Sequence, residues 1–328
     1  MNDNSKHHVL HVIKWMSHTG AIHDTMNGFD VIECVPCDFK HIVPIPVKDE
    51  LDEVYRQEYY SVEKPLYLEQ HKENLDWWNL VYGERYDEFE RLLLTDQRYI
   101  LDIGSGPGYF LLHGKQRGWK TLGIEPSAQA VHYSRELGLD IIEGFLNRQN
   151  HLDTLDTSTF DVIHMSEVLE HIANPREMLG IARDMLVMDG LICVVVPNDY
   201  NPFQHVLRTV YGYEPWWVSP PYHINYFDVA SLERLIYSSG FDVVSCETTF
   251  PIDMFLLMGD NYVGNDELGK QCHAKRKLFE YNLAMAGMGD LKQKLYQAFA
   301  SIGVGREVQV IGRKCVSHVS HVSRASWT

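Results

Sequence analysis

Between residues 99 and 250 the apolar positions fall into short continuous runs separated by stretches with helical spacing. The runs "RYILDIG", "KTLGIEP", "LDIIEG", "FDVIHMS", "GLICVVVPN" and "FDVVSCETT" have strand length and are predominantly apolar. The intervening segments, such as "VASLERLIYSSG", place apolar residues at the spacing of one helix face. Strands buried on both faces and alternating with helices predict a parallel sheet covered on both sides, with right-handed crossovers. The expected fold class is α/β, a doubly wound sheet over residues 96–250.

The flanks read differently. Residues 1–50 are histidine-rich and then carry short β-like pieces, "FDVIEC" and "FKHIVPIP", broken by prolines, which predicts a small N-terminal β module. Residues 51–95 have helical spacing and little glycine, and read as a helical cap beside the ligand mouth. Residues 251–305 read as a helical insertion, a lid or a dimer contact, before a last sheet strand at 306–314, "REVQVIGRK". The tail 315–328 has no apolar face to bury and reads as disordered.

Composition narrows the partners. The 328-residue chain is long enough for a full core, and its formal charge of −16 repels a phosphate backbone, so no nucleic-acid partner is expected. No apolar run approaches the ~20 residues of a membrane span, so no membrane partner is expected either. Six scattered cysteines and the lack of a leader-like start predict a reducing, cytoplasmic setting. The expected partner is a small-molecule acceptor, with a homodimer possible.

The candidate chemistry centres on "ILDIGSGPGYF" at 100–110. Glycines at 104, 106 and 108 after a buried strand imply close backbone approach to a ligand or a sharp turn. Pro107 interrupts the dinucleotide spacing, and Tyr109 to Leu112 replace the Lys-Ser/Thr of a phosphate loop. Asp102 would repel a phosphate but suits an ammonium, and Glu125, ending the next strand, suits both hydroxyls of a ribose. Ammonium at one end and ribose at the other describes S-adenosylmethionine.

With "LGIEPS", "FDVIHMSEVLEHIANP" and "GLICVVVPN" followed by "HINYF", the stretch resembles the class I S-adenosylmethionine-dependent methyltransferases, in particular their small-molecule, sugar- and quinone-type branch. The resemblance implies a Rossmann-like methyltransferase sheet and a cofactor cradle of Asp102, Gly104, Ser105, Gly106, Gly108 and Tyr109, with Glu125 on the ribose. It places Pro126 and Phe145 against the adenine, and Met165 and Ser166 beside the methionine and ribose; Phe145 and Met165 also read as ordinary core.

Methyl transfer to a hydroxyl calls for a base within hydrogen-bond reach. His223, in a proline-bounded loop, is the first candidate, with His171 and Glu167 of "SEVLEHI" beside it. Asn198, Trp217, Tyr222 and Tyr226 are the expected acceptor contacts, Trp217 and Tyr222 serving equally well as a lid seat or interface. Cys34-x-x-Cys37 is half of a zinc knuckle, and the region resembles a ribbon found before the methyltransferase domain of some sugar-modifying relatives. His18 and His23 would complete a zinc site, His11 and His41 being further donors; a degenerate ribbon without metal is the preferred reading.

The functional expectation is a methyltransferase acting on a sugar or sugar nucleotide of surface-polysaccharide biosynthesis, by analogy with those relatives. The alternatives are an O- or C-methyltransferase of an aromatic or quinone-like metabolite, and a catalytically inactive cofactor-binding partner subunit.

Overall fold

The computed structural model describes residues 17–47, 72–147 and 159–315. The expectations for residues 51–71 of the cap and 316–328 of the tail lie outside the described residues, as does His11.

Three N-terminal strands, β1 (Gly20–Met26), β2 (Phe29–Cys34) and β3 (Phe39–Val43), form an antiparallel meander. Helix α1 (Leu75–Leu92) leads into β4 (Tyr99–Ile103), α2 (Tyr109–Gln116), β5 (Lys120–Glu125), α3 (Ala128–Glu136), β6 (Ile141–Glu143) and β7 (Phe160–Ser166). A 3-10 turn at Leu169–His171 precedes α4 (Pro175–Met185), β8 (Leu186–Pro197), α5 (Pro202–Tyr211), β9 (Asn225–Tyr226), α6 (Val229–Ser238) and β10 (Phe241–Thr248). Three helices, α7 (Asp253–Leu257), α8 (Asp266–Met285) and α9 (Gly289–Ser301), precede β11 (Glu307–Lys314).

The main sheet has seven strands in the order β10-β11-β8-β7-β4-β5-β6. β4 to β8 are mutually parallel, and β11 runs antiparallel between β8 and β10, so the helical insertion returns the chain to the sheet as expected. Apolar residues pack on both faces: Leu101, Ile163 and Val194 with α4 and α6 on one, and Ile100, Val162 and Cys193 with α1 and α2 on the other. The chain leaves β4 in one direction and reaches β7 on its other side, so the crevice between their carboxyl ends is the switch point where such sheets bind ligands. Among the described residues no helix is long and apolar enough to cross a membrane.

The N-terminal module is not self-contained. β9, from the loop after β8, adds a fourth strand to its sheet, and Trp217, Val218, Ile224 and Tyr226 pack on Val31 and Ile42.

Candidate active site

A cavity of about 1370 Å³ lies over the carboxyl ends of β4, β5 and β7, closed on the far side by α1, α8, α9 and the start of β11. The glycine loop forms one wall. Gly104, Gly106 and Gly108 take φ of 73°, 51° and 79°, the region where a side chain is strained. A Cβ on Gly104 would stand 2.5 Å from Val168 Cγ2, and one on Gly108 2.5 Å from Leu139 Cδ1. Asp102, Gly104, Ser105, Gly106, Tyr109, Glu125, Pro126, Phe145 and Ser166 all line the cavity. Gly108 does not: it starts α2, where its missing side chain admits Leu139 and Ser134. Met165 also points away, into the core.

Glu125 is buried, and its carboxylate accepts from the Gly106 N–H (2.8 Å) and the Ser127 N–H (2.9 Å). Burial pushes its pKa up to about 7 against the pull of these two donors, with Asp102 adding to the rise. It therefore ties the glycine loop to β5 while facing the cavity.

Asp102 is engaged differently than an ammonium partner alone would require. Its Oδ1 accepts from His164 Nδ1 (2.7 Å), and His164 Nε2 accepts from Arg85 Nη1 (2.8 Å). Burial lowers the His164 pKa, consistent with a neutral ring donating at Nδ1 and accepting at Nε2. Arg85 Nε donates to Gln309 Oε1 (2.7 Å), whose Nε2 donates to Glu247 Oε1 (3.0 Å). A continuous hydrogen-bonded chain thus runs from the glycine-loop strand to β10. Burial, reinforced by Glu88 and Glu84, raises Glu247 to about 7.

Arg85, Gln309 and Glu247 come from flanking elements and were not expected from the sequence. His164 carried a signal, since it sits opposite Asp102 in the β4–β7 register, two polar groups side by side in otherwise apolar strands.

Of the three candidate bases, Glu167 and His171 line the cavity and His223 does not. Glu167 adopts a left-handed φ of 55°, a strained conformation that turns the chain over the crevice. His171 Nδ1 donates to the Tyr222 carbonyl (2.8 Å), which directs Nε2 elsewhere, 3.6 Å from Glu170 Oε1. His223 stands behind it, ring centroids 4.9 Å apart.

The expected acceptor contacts are corrected as a group. Trp217 and Tyr226 are buried in the seat of the N-terminal sheet, and Tyr222 offers its carbonyl to His171. Asn198 is buried and donates to the carbonyls of Gly303 (3.0 Å) and Gly305 (3.1 Å), clamping the loop before β11. The aromatic loop docks a sheet, and none of these four lines the cavity.

The cysteine pair sits at the tip of the β2–β3 hairpin. His18, Cys34, Cys37 and His41 bring four donor atoms within 4.8 Å of one another. His18 Nδ1 lies 3.5 Å from Cys34 Sγ, 3.4 Å from Cys37 Sγ and 3.1 Å from His41 Nε2. His23 is not part of this cluster; it pairs with Glu33 at 3.0 Å on the exposed face, and His41 takes the fourth place.

A methyltransferase-domain family model matches residues 77–246, which span the cap helix and the sheet through β10. Over 160 residues the chain is 25% identical to the C-methyltransferase NovU of Streptomyces niveus, covering 48% of this chain and 36% of that protein. It is 33% identical over 109 residues to a ubiquinone biosynthesis O-methyltransferase of Glaesserella parasuis serovar 5, covering 30% of this chain and 45% of that protein. The chain thus spans less than half the length of these two curated relatives. Among solved structures it is similar to a SAM-dependent methyltransferase from Archaeoglobus fulgidus, with a TM-score of 0.47 at 16% identity, over 72% of this chain and 93% of that one. With the family model matching residues 77–246 and the glycine loop and Glu125 inside that segment, the chain belongs to the methyltransferase-domain family.

Proposed function

We propose that the protein is an S-adenosylmethionine-dependent methyltransferase whose acceptor is a small polar molecule, a sugar or a sugar nucleotide. The observation that carries this reading is the division of one cavity. The glycine loop, Glu125, Pro126 and Phe145 suit the cofactor, and Glu84, Glu88, Glu247, Arg276 and Lys292 make the opposite wall polar and charged. Carboxylates and cationic N–H donors of this kind hydrogen-bond hydroxyls, which suits a sugar better than an aromatic ring.

The cofactor, when bound, supplies an electrophilic methyl group on a sulfonium. The chain's own part is to orient and to handle one proton. Glu125 and the glycine-loop backbone fix the nucleoside end, and Asp102, held by His164, faces the methionine end. His171, a cavity-lining residue with Nδ1 committed to Tyr222 and Nε2 3.6 Å from Glu170 Oε1, is the candidate proton acceptor. An aromatic or quinone-like acceptor is the second reading, supported by similarity to a ubiquinone biosynthesis O-methyltransferase and by Trp77 and Trp78 on the same cavity.

A screen for S-adenosylhomocysteine release against sugars, sugar nucleotides and phenols separates the readings. Turnover of phenols alone refutes the sugar assignment, and absence of cofactor binding at millimolar concentration by calorimetry refutes both. Cofactor binding with no turnover on any panel member returns the reading of an inactive binding subunit.

The Cys/His cluster is proposed as a zinc site formed by His18, Cys34, Cys37 and His41. A tetrahedral ion with Zn–S near 2.3 Å and Zn–N near 2.0 Å needs donors about 3.5 Å apart, close to the observed 3.1 to 3.5 Å separations from His18. His41 Nδ1 donates to the Ile42 carbonyl (2.9 Å), leaving Nε2 as the coordinating atom. Metal analysis of the purified protein is expected to show one zinc per chain, lost in His41→Ala and kept in His23→Ala. Metal-free protein that takes up no added zinc overturns the site and restores the degenerate ribbon.

A further inference from the structure

Arg306 stands on the cavity wall at the carboxyl edge where β8 and β11 meet. It is solvent-accessible although protein packs densely around it, the situation of a side chain facing an internal cavity. The other lysine and arginine residues of this wall are engaged: Arg85 with His164 and Gln309, Arg91 with Glu88, Arg276 with Glu280, and Lys292 with Glu84. The Arg306 guanidinium has no hydrogen bond and no close ion pair among the described residues.

Its placement is rigid. The Arg306 carbonyl accepts from the Asn198 N–H (3.0 Å), and the Asn198 side chain clamps Gly303 and Gly305. Thr248 Oγ1 donates to the Val304 carbonyl (2.7 Å), and Gly305, at φ 140°, approaches Thr248 where a Cβ would stand 2.3 Å from its Cβ. The fixed backbone sets the point from which the guanidinium reaches, and its planar fork matches a carboxylate or phosphate edge.

The neighbouring carboxylates hold its charge without covering its donors. Burial works against the charge, and Glu307, Asp199, Asp253 and Glu167 outweigh it. Asp253 is committed to Tyr262 (3.0 Å) and Asn201 (3.2 Å), and burial raises Asp199 to about 7.

We propose that Arg306 is the anchor for the acceptor, taking a carboxylate or phosphate oxyanion in a bidentate pair, so that the enzyme selects anionic acceptors. The proposal rests on the reading that this cavity holds cofactor and acceptor together. Asn198 is then a positioning residue for Arg306.

The test is calorimetry on protein loaded with S-adenosylhomocysteine, titrated with uridine diphosphate, pyrophosphate, malonate and, as a neutral control, glucose. Wild type is expected to bind phosphate or carboxylate probes, the stronger arm naming the oxyanion, and to bind glucose far more weakly. Arg306→Gln is expected to weaken the anion by at least about tenfold, Arg306→Lys by less, with unchanged affinity for S-adenosylhomocysteine. Asn198→Ala should weaken the anion alone, without loss of S-adenosylhomocysteine binding. Wild type that binds S-adenosylhomocysteine but none of the anions, or Arg306→Gln that binds them equally, overturns the anchor and leaves the methyltransferase reading standing. Wild type that binds no S-adenosylhomocysteine refutes that reading instead, and the same titration on unloaded protein still decides on Arg306.

Discussion

The sharpest consequence of the cofactor wall is a pH dependence set by Glu125. Its carboxyl group is buried and held up to about 7 in the free protein. Ribose hydroxyls donate, so they bind the ionised carboxylate and release its proton. At about pH 6 only about one-tenth of the free protein carries the ionised form, so affinity for S-adenosylhomocysteine should fall about tenfold, or about 1.4 kcal/mol, relative to about pH 8. The folded value lies above the usual 4.5, so the native apoprotein holds the extra proton between the two values. Its contribution to stability is complete below 4.5 and is lost as pH rises through about 7, on the order of 3 kcal/mol. The thermal shift given by S-adenosylhomocysteine should therefore grow from pH 6 to pH 8 as the apoprotein itself weakens. Glu247 is raised to about 7 as well, so Glu125→Gln is the control that isolates the effect. The amide can accept from only one of the Gly106 and Ser127 N–H groups, so affinity at pH 8 should drop roughly tenfold or more and lose its pH dependence. Calorimetry across this range in wild type and variant decides; wild-type affinity that is flat from pH 6 to pH 8 refutes the assignment.

Two further predictions follow from the same wall. Gly104→Ala imposes a side chain at φ 73° and a 2.5 Å approach to Val168, so cofactor affinity should fall by at least tenfold while circular dichroism reports an intact fold; unchanged affinity would mean the loop does not hold the ligand. His171→Ala should lower kcat on a working acceptor by about 10² or more with unchanged cofactor affinity, and His223→Ala by clearly less, since only His171 reaches the cavity. Equal losses in the two variants, measured as S-adenosylhomocysteine release, would return His223 to the chemistry.

The sheet was legible because its central strands β4, β7 and β8 carry apolar runs buried on both faces, a local property that no distant partner alters. Asp102 and Glu125 were legible as cavity-lining residues for the related reason that charge at the end of such a strand needs a purpose. Trp217 and Tyr226 were misplaced because an aromatic residue has the same sequence signature whether it stacks on a ligand or seats another sheet, and their partners Val31 and Ile42 lie far away in the chain. Arg85, Glu247 and Arg306 were missed because surface helices and edge strands are rich in charge, and only the fold decides which charges face inward. The choice of His23 over His41 could have been avoided. Cys34 pairs with Phe39 across the hairpin, and the strand period of two then puts His41 on the same face as Cys34.

That register also explains why so long a loop joins β8 to α6. His41 is the ladder neighbour of Asn225 in β9, and the Ile42 N–H donates to the Ile224 carbonyl (2.9 Å). Asn225 Nδ2 in turn donates to the carbonyls of Leu169 (3.0 Å) and Ile172 (2.8 Å), and the Ile224 N–H donates to the carbonyl of Glu170 (2.8 Å). These three bonds brace both ends and the middle of the turn that presents His171, and Tyr222 of the same loop fixes the His171 ring. The loop is therefore a strut between the Cys/His cluster and the turn that carries His171. Its aromatic residues anchor one end in the N-terminal sheet, and its backbone sets the direction of His171 Nε2 at the other.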